Sequence, residues 1–301
     1  MKSLAPIVLF VYNRPIHTSN LLQSLRRCRL SDQSKLIVFA DGPKDEASQT
    51  ERKNINEVRK LVLSEKWCKE VQLIGKQHNV GLADSIVSGV TAVLNQYEKI
   101  IVLEDDLVLS PGFLDYLNNA LNVFEEEEKI MHISAYMFPV KNKLPELFFM
   151  NMTSCWGWAT WKRAWNHYNP SAEDLLQKLH ESERLNEFTF NGRAPFYNHL
   201  LDNTNGKIKT WAIKWLTSVF LMEGFCLHPS PSLVRNEGND GSGTHGSESI
   251  FNKQAVADSI VVKTIPLIEN NEARKGLEQF YKKLRRKKNI IERIVNRFMH
   301  S

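Results

Sequence analysis

Three consecutive acidic residues, Glu104, Asp105 and Asp106, directly follow a short apolar run in this sequence. The run, Ile100 to Leu103, has the length and composition of a buried β-strand. Carboxylates packed this closely repel one another unless a cation neutralises them, and their oxygen atoms suit Mg²⁺ or Mn²⁺. Such an ion can bridge the phosphates of a nucleotide. The triplet is therefore a candidate metal and nucleotide site, the alternative being a solvated acidic turn.

Alternating strand and helix patterns in the first 110 residues supply the elements that must position this triplet. The strand-like runs are 6–11, 35–40, 71–74 and 100–103, and the helical patterns are 15–27, 47–64 and 82–96. This order predicts an α/β fold, Rossmann-like, with a mostly parallel sheet flanked by helices. Loops at the carboxyl ends of parallel strands converge on one face, so Arg14 and Asp41 are expected beside the triplet.

The regular alternation breaks after residue 125. A Trp-rich segment occupies 154–165, helical patterns follow at about 195–202 and 211–223, strand-like pieces at 225–229 and 233–236, and a Gly-rich polar loop at 237–246. We see no internal repeat and no low-complexity linker. The sequence thus predicts a single catalytic domain over residues 1–270 and a C-terminal tail over 271–301.

Composition limits the class of protein. The chain has 301 residues, 42% of them apolar, which is enough to bury a sizeable core. No apolar run approaches the roughly 20 residues of a membrane span. Four scattered cysteines without a Cys-x-x-Cys pair argue against a zinc site or a disulfide framework and fit a reducing compartment, so we expect a cytoplasmic protein.

Positive charge is concentrated at the C-terminus. Residues 281–301 hold eight Lys or Arg against one acid, Glu292, so this tail has a charge of +7. Because the net charge of the whole chain is +5, the rest of the chain has a charge of −2. The body is therefore not a general polyanion binder, and no nucleic-acid partner is expected. The tail predicts a basic amphipathic helix that could lie on the anionic inner face of a membrane, the alternative being a solvated or domain-packing helix.

Five motifs and the acidic triplet occur in an order that resembles a group of sugar transferases. The motifs are 12–15 (YNRP), 39–42 (FADG), 79–83 (NVGLA), 156–161 (WGWATW) and 241–245 (GSGTH). They are similar to those of bacterial sugar transferases of polysaccharide-assembly loci, and the run 102–116 resembles the N-acetylglucosaminyltransferase I family. The resemblance, over residues 5–246, implies a GT-A fold glycosyltransferase. It would move a sugar from a nucleotide-diphosphate donor to a hydroxyl of a surface-glycan or lipid-linked acceptor, with inversion.

The same resemblance implies which residues contact the donor. Arg14 and Asp41 would contact the nucleotide base, ribose or phosphate, and Glu104 and Asp105 would contact the ribose or the donor sugar. For Arg14 an ordinary surface arginine is the alternative.

It also implies a metal site. Asp106 would bind Mn²⁺ or Mg²⁺ directly, and His245 would supply a further metal or pyrophosphate contact. A metal at this position would stabilise the charge on the departing nucleoside diphosphate. For His245 the alternative is a loop histidine that is merely hydrogen-bonded.

The Trp-rich segment has two interpretations. As a wall of the site, Trp156 and Gly157 would let the backbone approach the donor while the indole ring stacks on a sugar. As a packing cluster, Trp161 and Trp165 would face the core at i and i+4 of a helix. We expect Trp156 and Gly157 near the site and the other two in the core.

One position departs from the resemblance. An inverting transfer needs a base to accept the proton of the acceptor hydroxyl, and Ala212 stands where an acid would open the acceptor-side helix. Asp240 is the first candidate substitute and Glu237 the second, although both could be plain loop acids.

Two other functions remain open. A non-catalytic nucleotide-sugar-binding module is suggested by Ala212. A sugar nucleotidyltransferase would share the α/β layout, but it would be expected to have a Gly-rich, basic loop where this chain has residues 12–15.

Overall fold

The computed structural model describes residues 3–238 and 256–299, with side chains up to residue 286. Its strands are β1 (Ile7–Val11), β2 (Lys35–Ala40), β3 (Glu70–Gly75), β4 (Lys99–Glu104), β5 (Leu107–Leu109), β6 (Ile130–Ser134), β7 (Leu147–Met150), β8 (Trp158–Trp161), β9 (Phe225–Pro229) and β10 (Val234–Asn236). Its helices are α1 (Pro15–Arg27), α2 (Gln49–Ser64), α3 (Leu82–Leu94), α4 (Phe113–Val123), α5 (Lys162–Trp165), α6 (Ala172–Glu181), α7 (Leu185–Phe188), α8 (Phe196–Thr204), α9 (Ala212–Leu221) and α10 (Asn271–Met299).

One large sheet organises the molecule. Eight strands are ordered β3-β2-β1-β4-β8-β6-β9-β7, and β5 pairs separately with β10. Strands β3, β2, β1 and β4 are mutually parallel, β6 and β9 share their direction, and only β8 and β7 run against it within this sheet. The predicted α/β fold with a mostly parallel sheet flanked by helices is confirmed.

Apolar residues cover both faces of this sheet, which explains why its central strands are continuous apolar runs. In β1, Leu9 points to the face covered by α1, α2 and α4, and Val8 points to the face covered by α3 and α9. Both side chains are fully buried. The same alternation places Leu103 and Val102 of β4 on opposite faces, so the strand that leads into Glu104 is fixed from two sides.

A third apolar cluster joins the later helices to β7. It contains buried residues of α6, α8 and α9 together with Leu277 and Phe280 of α10. The first turns of α10 are therefore packed into the molecule. For this part of the helix, the alternative of a helix that packs against the domain applies. The division of the chain into a domain over 1–270 and a tail over 271–301 stays a prediction.

The Trp-rich segment differs from its predicted helix. Residues Trp158–Trp161 form β8, which pairs antiparallel with β4, and only Lys162–Trp165 is helical. Trp161 and Trp165 are both buried as expected, but they lie in the clusters on opposite faces of the sheet. The i, i+4 argument fails because the chain changes from strand to helix between them.

All four cysteines are free thiols. Among the described residues, no helix combines the length and the hydropathy that crossing a membrane demands.

Candidate active site

A cleft of about 690 Å³ opens at the carboxyl ends of β1, β2 and β4. Residues from the loops after these strands line one side, and the amino-terminal end of α9 lines the other. Six of the predicted donor or metal residues lie together on its wall: Arg14, Asp41, Glu104, Asp105, Asp106 and Trp156. The loops after β1, β2 and β4 therefore converge on one face, as predicted.

The acidic triplet is held by Arg14. The Nη2 atom of Arg14 donates to Asp105 Oδ1, and to Asp106 Oδ2 at 3.2 Å. Its Nε donates to Asp105 Oδ2 at 3.4 Å. The Arg14 side chain is only 21% exposed, so the surface alternative for this residue does not apply. One guanidinium thus neutralises part of the charge of two adjacent carboxylates.

The ribbon of β5 and β10 fixes Asp106 from the other side. Asn236, paired with Leu107, donates its Nδ2 to Asp106 Oδ1 at 3.1 Å. The backbone N–H of Glu237 donates to the Asp106 carbonyl at 2.7 Å. A Cβ atom built on Gly238 would lie 2.2 Å from Asp106 Oδ2, so only glycine allows this approach.

Burial changes the acidity of the triplet. It raises the pKa of Glu104 well above its usual range, and the charges of Asp106 and Asp105 act in the same direction. Burial also raises the pKa of Asp105, to about 6, although the Arg14 guanidinium opposes this shift. A cation at the triplet would therefore be stabilised, because it would favour the ionised carboxylates.

The residues at this position fit the implied divalent metal. The Asp106 carboxylate borders the cleft, and its oxygens are the ligand type that Mg²⁺ and Mn²⁺ prefer. No group of three His, Cys, Asp or Glu side chains suited to a metal is found in the described part of the chain. Mg²⁺ commonly keeps several waters and binds through one or two carboxylates plus substrate phosphates, so a single aspartate is compatible with it.

Asp41 lines the cleft, but its carboxylate is already occupied. It accepts from the backbone N–H groups of Gly42, Val80 and Gly81 at 2.8, 3.0 and 3.0 Å, and from Asn79 Nδ2 at 2.9 Å. These bonds hold the loop that leads into α3. Asp41 positions that loop, and its predicted contact with the donor stays a prediction.

Trp156 and Gly157 take different places. Trp156 lines the cleft and packs edge-on against Tyr136, with ring centroids 4.6 Å apart. Gly157 has φ +67°, and an added Cβ would lie 2.8 Å from the Phe113 ring. Gly157 thus faces the core behind the cleft wall, where close packing requires glycine.

The amino-terminal end of α9 forms the opposite wall. Lys209, Thr210, Trp211 and Ala212 line it, and Thr210 is held by two hydrogen bonds of 2.9 Å with the Asn203 side chain. Ala212 therefore lies where the missing acid was sought. Among the described cleft residues, no acid comes from α9.

Of the two candidate bases, Glu237 lies within the described residues and Asp240 does not. Glu237 follows β10, is anchored to Asp106 through its backbone, and has a 36% exposed side chain that accepts from Arg235 at 3.2 Å. Asp240 and His245 lie outside the described residues, and so do the roles predicted for them.

Several cleft residues were not predicted. Lys44, Cys155 and Lys209 line the cleft. Lys44 follows the motif 39–42 by two positions, and this closeness in sequence could have indicated that it lies at the cleft. Lys209 gave no signal, because only the packing of α9 brings it to the site.

Comparison with known proteins gives one family. Profiles of protein families match residues 1–172 to the GNT-I family. A search of curated proteins finds no match.

Three similar solved structures share only a low sequence identity with the chain. S. aureus TarS is 15% identical over 48% of this chain and 23% of its own, with a TM-score of 0.29. Mouse xyloside xylosyltransferase 1 is 12% identical over 73% of this chain and 82% of its own, with a TM-score of 0.38. A putative nucleotide-diphospho-sugar transferase from Desulfovibrio desulfuricans G20 is 11% identical over 54% and 65%, with a TM-score of 0.35. The chain thus spans less than a quarter of the length of TarS.

Proposed function

The chain belongs to the GNT-I family of glycosyltransferases, and on that premise we propose that it moves a sugar from a nucleoside diphosphate to a hydroxyl of a surface-glycan or lipid-linked acceptor. The reaction is metal-dependent and inverts the anomeric centre. The observation that carries this proposal is the acidic triplet on the wall of the 690 Å³ cleft. This volume is within the range of about 300 to 1,000 Å³ of small-molecule sites.

Each wall of the cleft has a distinct task in this proposal. Asp106 holds Mn²⁺ or Mg²⁺, which supplies electrostatic stabilisation of the departing diphosphate when bound. Glu104 and Asp105 bind the ribose or the donor sugar through their oxygens. Trp156 offers an aromatic face to a sugar ring, supported from behind by Tyr136.

Asp240 stays the first candidate for the base that accepts the proton of the acceptor hydroxyl. Glu237, whose backbone bonds to Asp106 but which is not among the residues lining the cleft, is the second. The backbone bond of Glu237 to Asp106 keeps it beside the metal residue. Its carboxylate accepts a bond only from Arg235 among the described partners, so a lone pair stays free to accept a proton.

Helix α10 supports a membrane-linked acceptor. Lys282, Lys283 and Arg286 are exposed beyond its packed first turns. Basic residues on such a helix are attracted to anionic lipids, so we propose a peripheral position on the inner face of a membrane. This position would bring the cleft near a lipid-linked acceptor.

Ala212 favours a second candidate, a module that binds a nucleotide sugar without transferring it. The two functions share the donor site and differ only in turnover. They are separated by measuring whether bound donor is consumed.

The test is a thermal-shift titration of the full chain against UDP, GDP, CMP and dTDP sugars, with Mn²⁺ and with EDTA. A donor that binds the native state raises the midpoint of unfolding by mass action. We expect one nucleotide class to raise it with Mn²⁺ only, and the Asp106→Asn variant to lose that dependence while keeping its own midpoint.

The same titration can contradict the proposal. No shift with any donor would refute donor binding, and an equal shift in EDTA would refute the metal. A metal-dependent shift without release of nucleoside diphosphate would identify the binding module.

A further inference from the structure

Asp106 is already in contact with a cation. Arg14 Nη2 lies 3.2 Å from Asp106 Oδ2 and also binds Asp105, so one guanidinium spans two members of the triplet. Arg14 lies three residues after the end of β1 and directly before α1, between two elements that are packed in the core. Its position is therefore set by the fold.

Both carboxylate oxygens of Asp106 already have a hydrogen-bond partner within the protein. Oδ1 accepts from Asn236 Nδ2 at 3.1 Å, and Oδ2 is contacted by Arg14 and approached by the backbone of Gly238. A divalent ion that bound Oδ2 would meet the positive charge of Arg14 a few ångströms away. At that separation like charges repel strongly in a partly buried site.

The cleft lysine on the opposite wall is engaged elsewhere. Lys209 forms an ion pair with Asp84 of α3, not with the triplet. It therefore provides a comparison: a positive charge in the same cleft that does not contact Asp106.

We propose that Arg14 is the resident counter-cation of the acidic triplet and competes with the divalent metal for Asp106. The metal then binds tightly only after a diphosphate has drawn the Arg14 guanidinium away from Asp106. This inference depends on the proposed function, because it takes a nucleoside diphosphate as the donor.

The exchange conserves charge and breaks no covalent bond. The guanidinium fork exchanges an aspartate partner for phosphate oxygens, whose geometry it matches well. Asp106 exchanges the guanidinium for the metal, which also contacts phosphate oxygens. Each anion keeps a cationic partner, so metal and diphosphate are expected to bind cooperatively.

The test measures Mn²⁺ binding by electron paramagnetic resonance on the full chain without nucleotide. Because Arg14→Gln removes the competing charge, we expect it to bind Mn²⁺ about tenfold tighter than the unaltered chain. The double variant Arg14→Gln, Asp106→Asn should lose that gain, which assigns it to Asp106. The matched control Lys209→Gln should change the affinity by less than about threefold, since its charge is paired elsewhere.

Equal Mn²⁺ affinity in Arg14→Gln and the unaltered chain would overturn the inference, and so would a gain that persists without Asp106. If Arg14→Gln fails to fold by circular dichroism, Arg14→Lys replaces it. A lysine keeps the positive charge but lacks the planar guanidinium fork that bonds to both Asp105 and Asp106, so a smaller gain in Mn²⁺ affinity is expected, and unchanged binding again overturns the inference.

A second measurement separates this inference from the proposed function. UDP, GDP and dTDP are added in turn, and one of them should tighten Mn²⁺ binding about tenfold in the unaltered chain but less in Arg14→Gln. If no nucleotide affects Mn²⁺ binding in either protein, the proposed donor fails. If one tightens it equally in both, the donor stands and the competition by Arg14 is refuted.

Discussion

Glu237 lies one residue beyond β10, and its backbone bonds to Asp106, whose carboxylate already accepts hydrogen bonds from neighbouring side chains. Asp106 is engaged by Arg14 and Asn236, and Asp105 by Arg14, so these acids are poorly placed to accept a proton from an acceptor. Glu237 has a partly exposed carboxylate that, among the described residues, accepts one bond of 3.2 Å, from Arg235. Its backbone anchor keeps it at the site without occupying the side chain.

If Glu237 is the base, replacing it by Gln should lower donor turnover without lowering donor binding. Loss of a general base costs about 10² to 10⁴ in rate. The measurement is release of nucleoside diphosphate, together with the thermal shift caused by the donor. Glu46→Gln, which alters an exposed acid outside the cleft lining, should leave both unchanged.

Asp240→Asn, measured in parallel, decides between the two candidates. A full rate in Glu237→Gln with a large loss in Asp240→Asn would assign the role to Asp240. A full rate in both would show that neither acid is the base.

Individual site residues were predictable where they follow a strand. Arg14, Asp41 and the triplet come directly after apolar runs, and parallel strands bring such positions together. Gly238 was not predictable as a contact of Asp106, because it depends on β10 pairing with β5 far away in sequence. Gly157 was sought at the donor, but the sequence does not show that its α-carbon faces Phe113.

Among the elements, the strands and helices up to residue 104 agree closely with their predictions. Their boundaries differ by a few residues at most, as where α2 starts at Gln49 after a capping box of Ser48 and Glu51. Local pattern suffices here because β1, β2 and β4 are buried on both faces and each helix on one. The strand β8 was missed because its Trp-rich sequence carries no period-2 alternation, and its pairing with β4 is a long-range contact.

Helix α10 combines two surfaces. Ala273, Leu277, Phe280 and Tyr281 are buried against the third core, and a cluster of exposed basic residues begins at Lys282. The packed turns fix where the helix leaves the body, and the basic turns that follow can contact an anionic surface.

Charge reversal should remove that contact. The variant Lys282→Glu, Lys283→Glu, Arg286→Glu replaces three exposed cations, each of which contributes about 1 kcal/mol at an anionic membrane. We expect at least a hundredfold weaker partitioning onto vesicles with anionic lipids, measured by co-sedimentation, and little binding to neutral vesicles for either protein.

A matched control uses exposed lysines of the other end of the molecule. Lys53→Glu, Lys60→Glu, Lys66→Glu makes the same change of net charge on and after α2. If this control loses as much binding as the α10 variant, the attraction is a property of net charge and the assignment of α10 is wrong.

At the scale of the whole molecule, the core contains two histidines that are fully buried. His132 accepts from Trp215 Nε1 at its Nδ1, 3.0 Å away, and its Nε2 lies 3.0 Å from the Ser154 carbonyl. The ring nitrogens of His228 lie 3.2 and 2.9 Å from the carbonyl oxygens of Tyr136 and Met152, and the neutral ring donates to one of the two. Burial lowers the pKa of His132 to about 3 and lowers that of His228 as well.

These histidines couple the stability of the fold to pH in a definite direction. Folded His132 stays neutral, whereas the unfolded chain takes up a proton at this residue below pH of about 6.5. Its contribution to the free energy of unfolding is therefore complete above that pH and decreases as the pH falls. The raised pKa values of Glu104 and Asp105 act in the opposite direction, so only a difference between two proteins isolates His132.

We predict that the free energy of unfolding of the unaltered chain, relative to that of the His132→Gln variant, decreases as the solution is made acidic. The free energies of unfolding come from urea denaturation at pH about 7.5 and about 5. The unaltered chain should lose about 2 kcal/mol more than the variant over this interval, at about 1.4 kcal/mol per pH unit below the unfolded pKa. The carboxylate contributions cancel because both proteins contain them. Parallel losses in the two proteins would mean that His132 is protonated in the folded state, and its Nδ1 could then no longer accept the bond from Trp215.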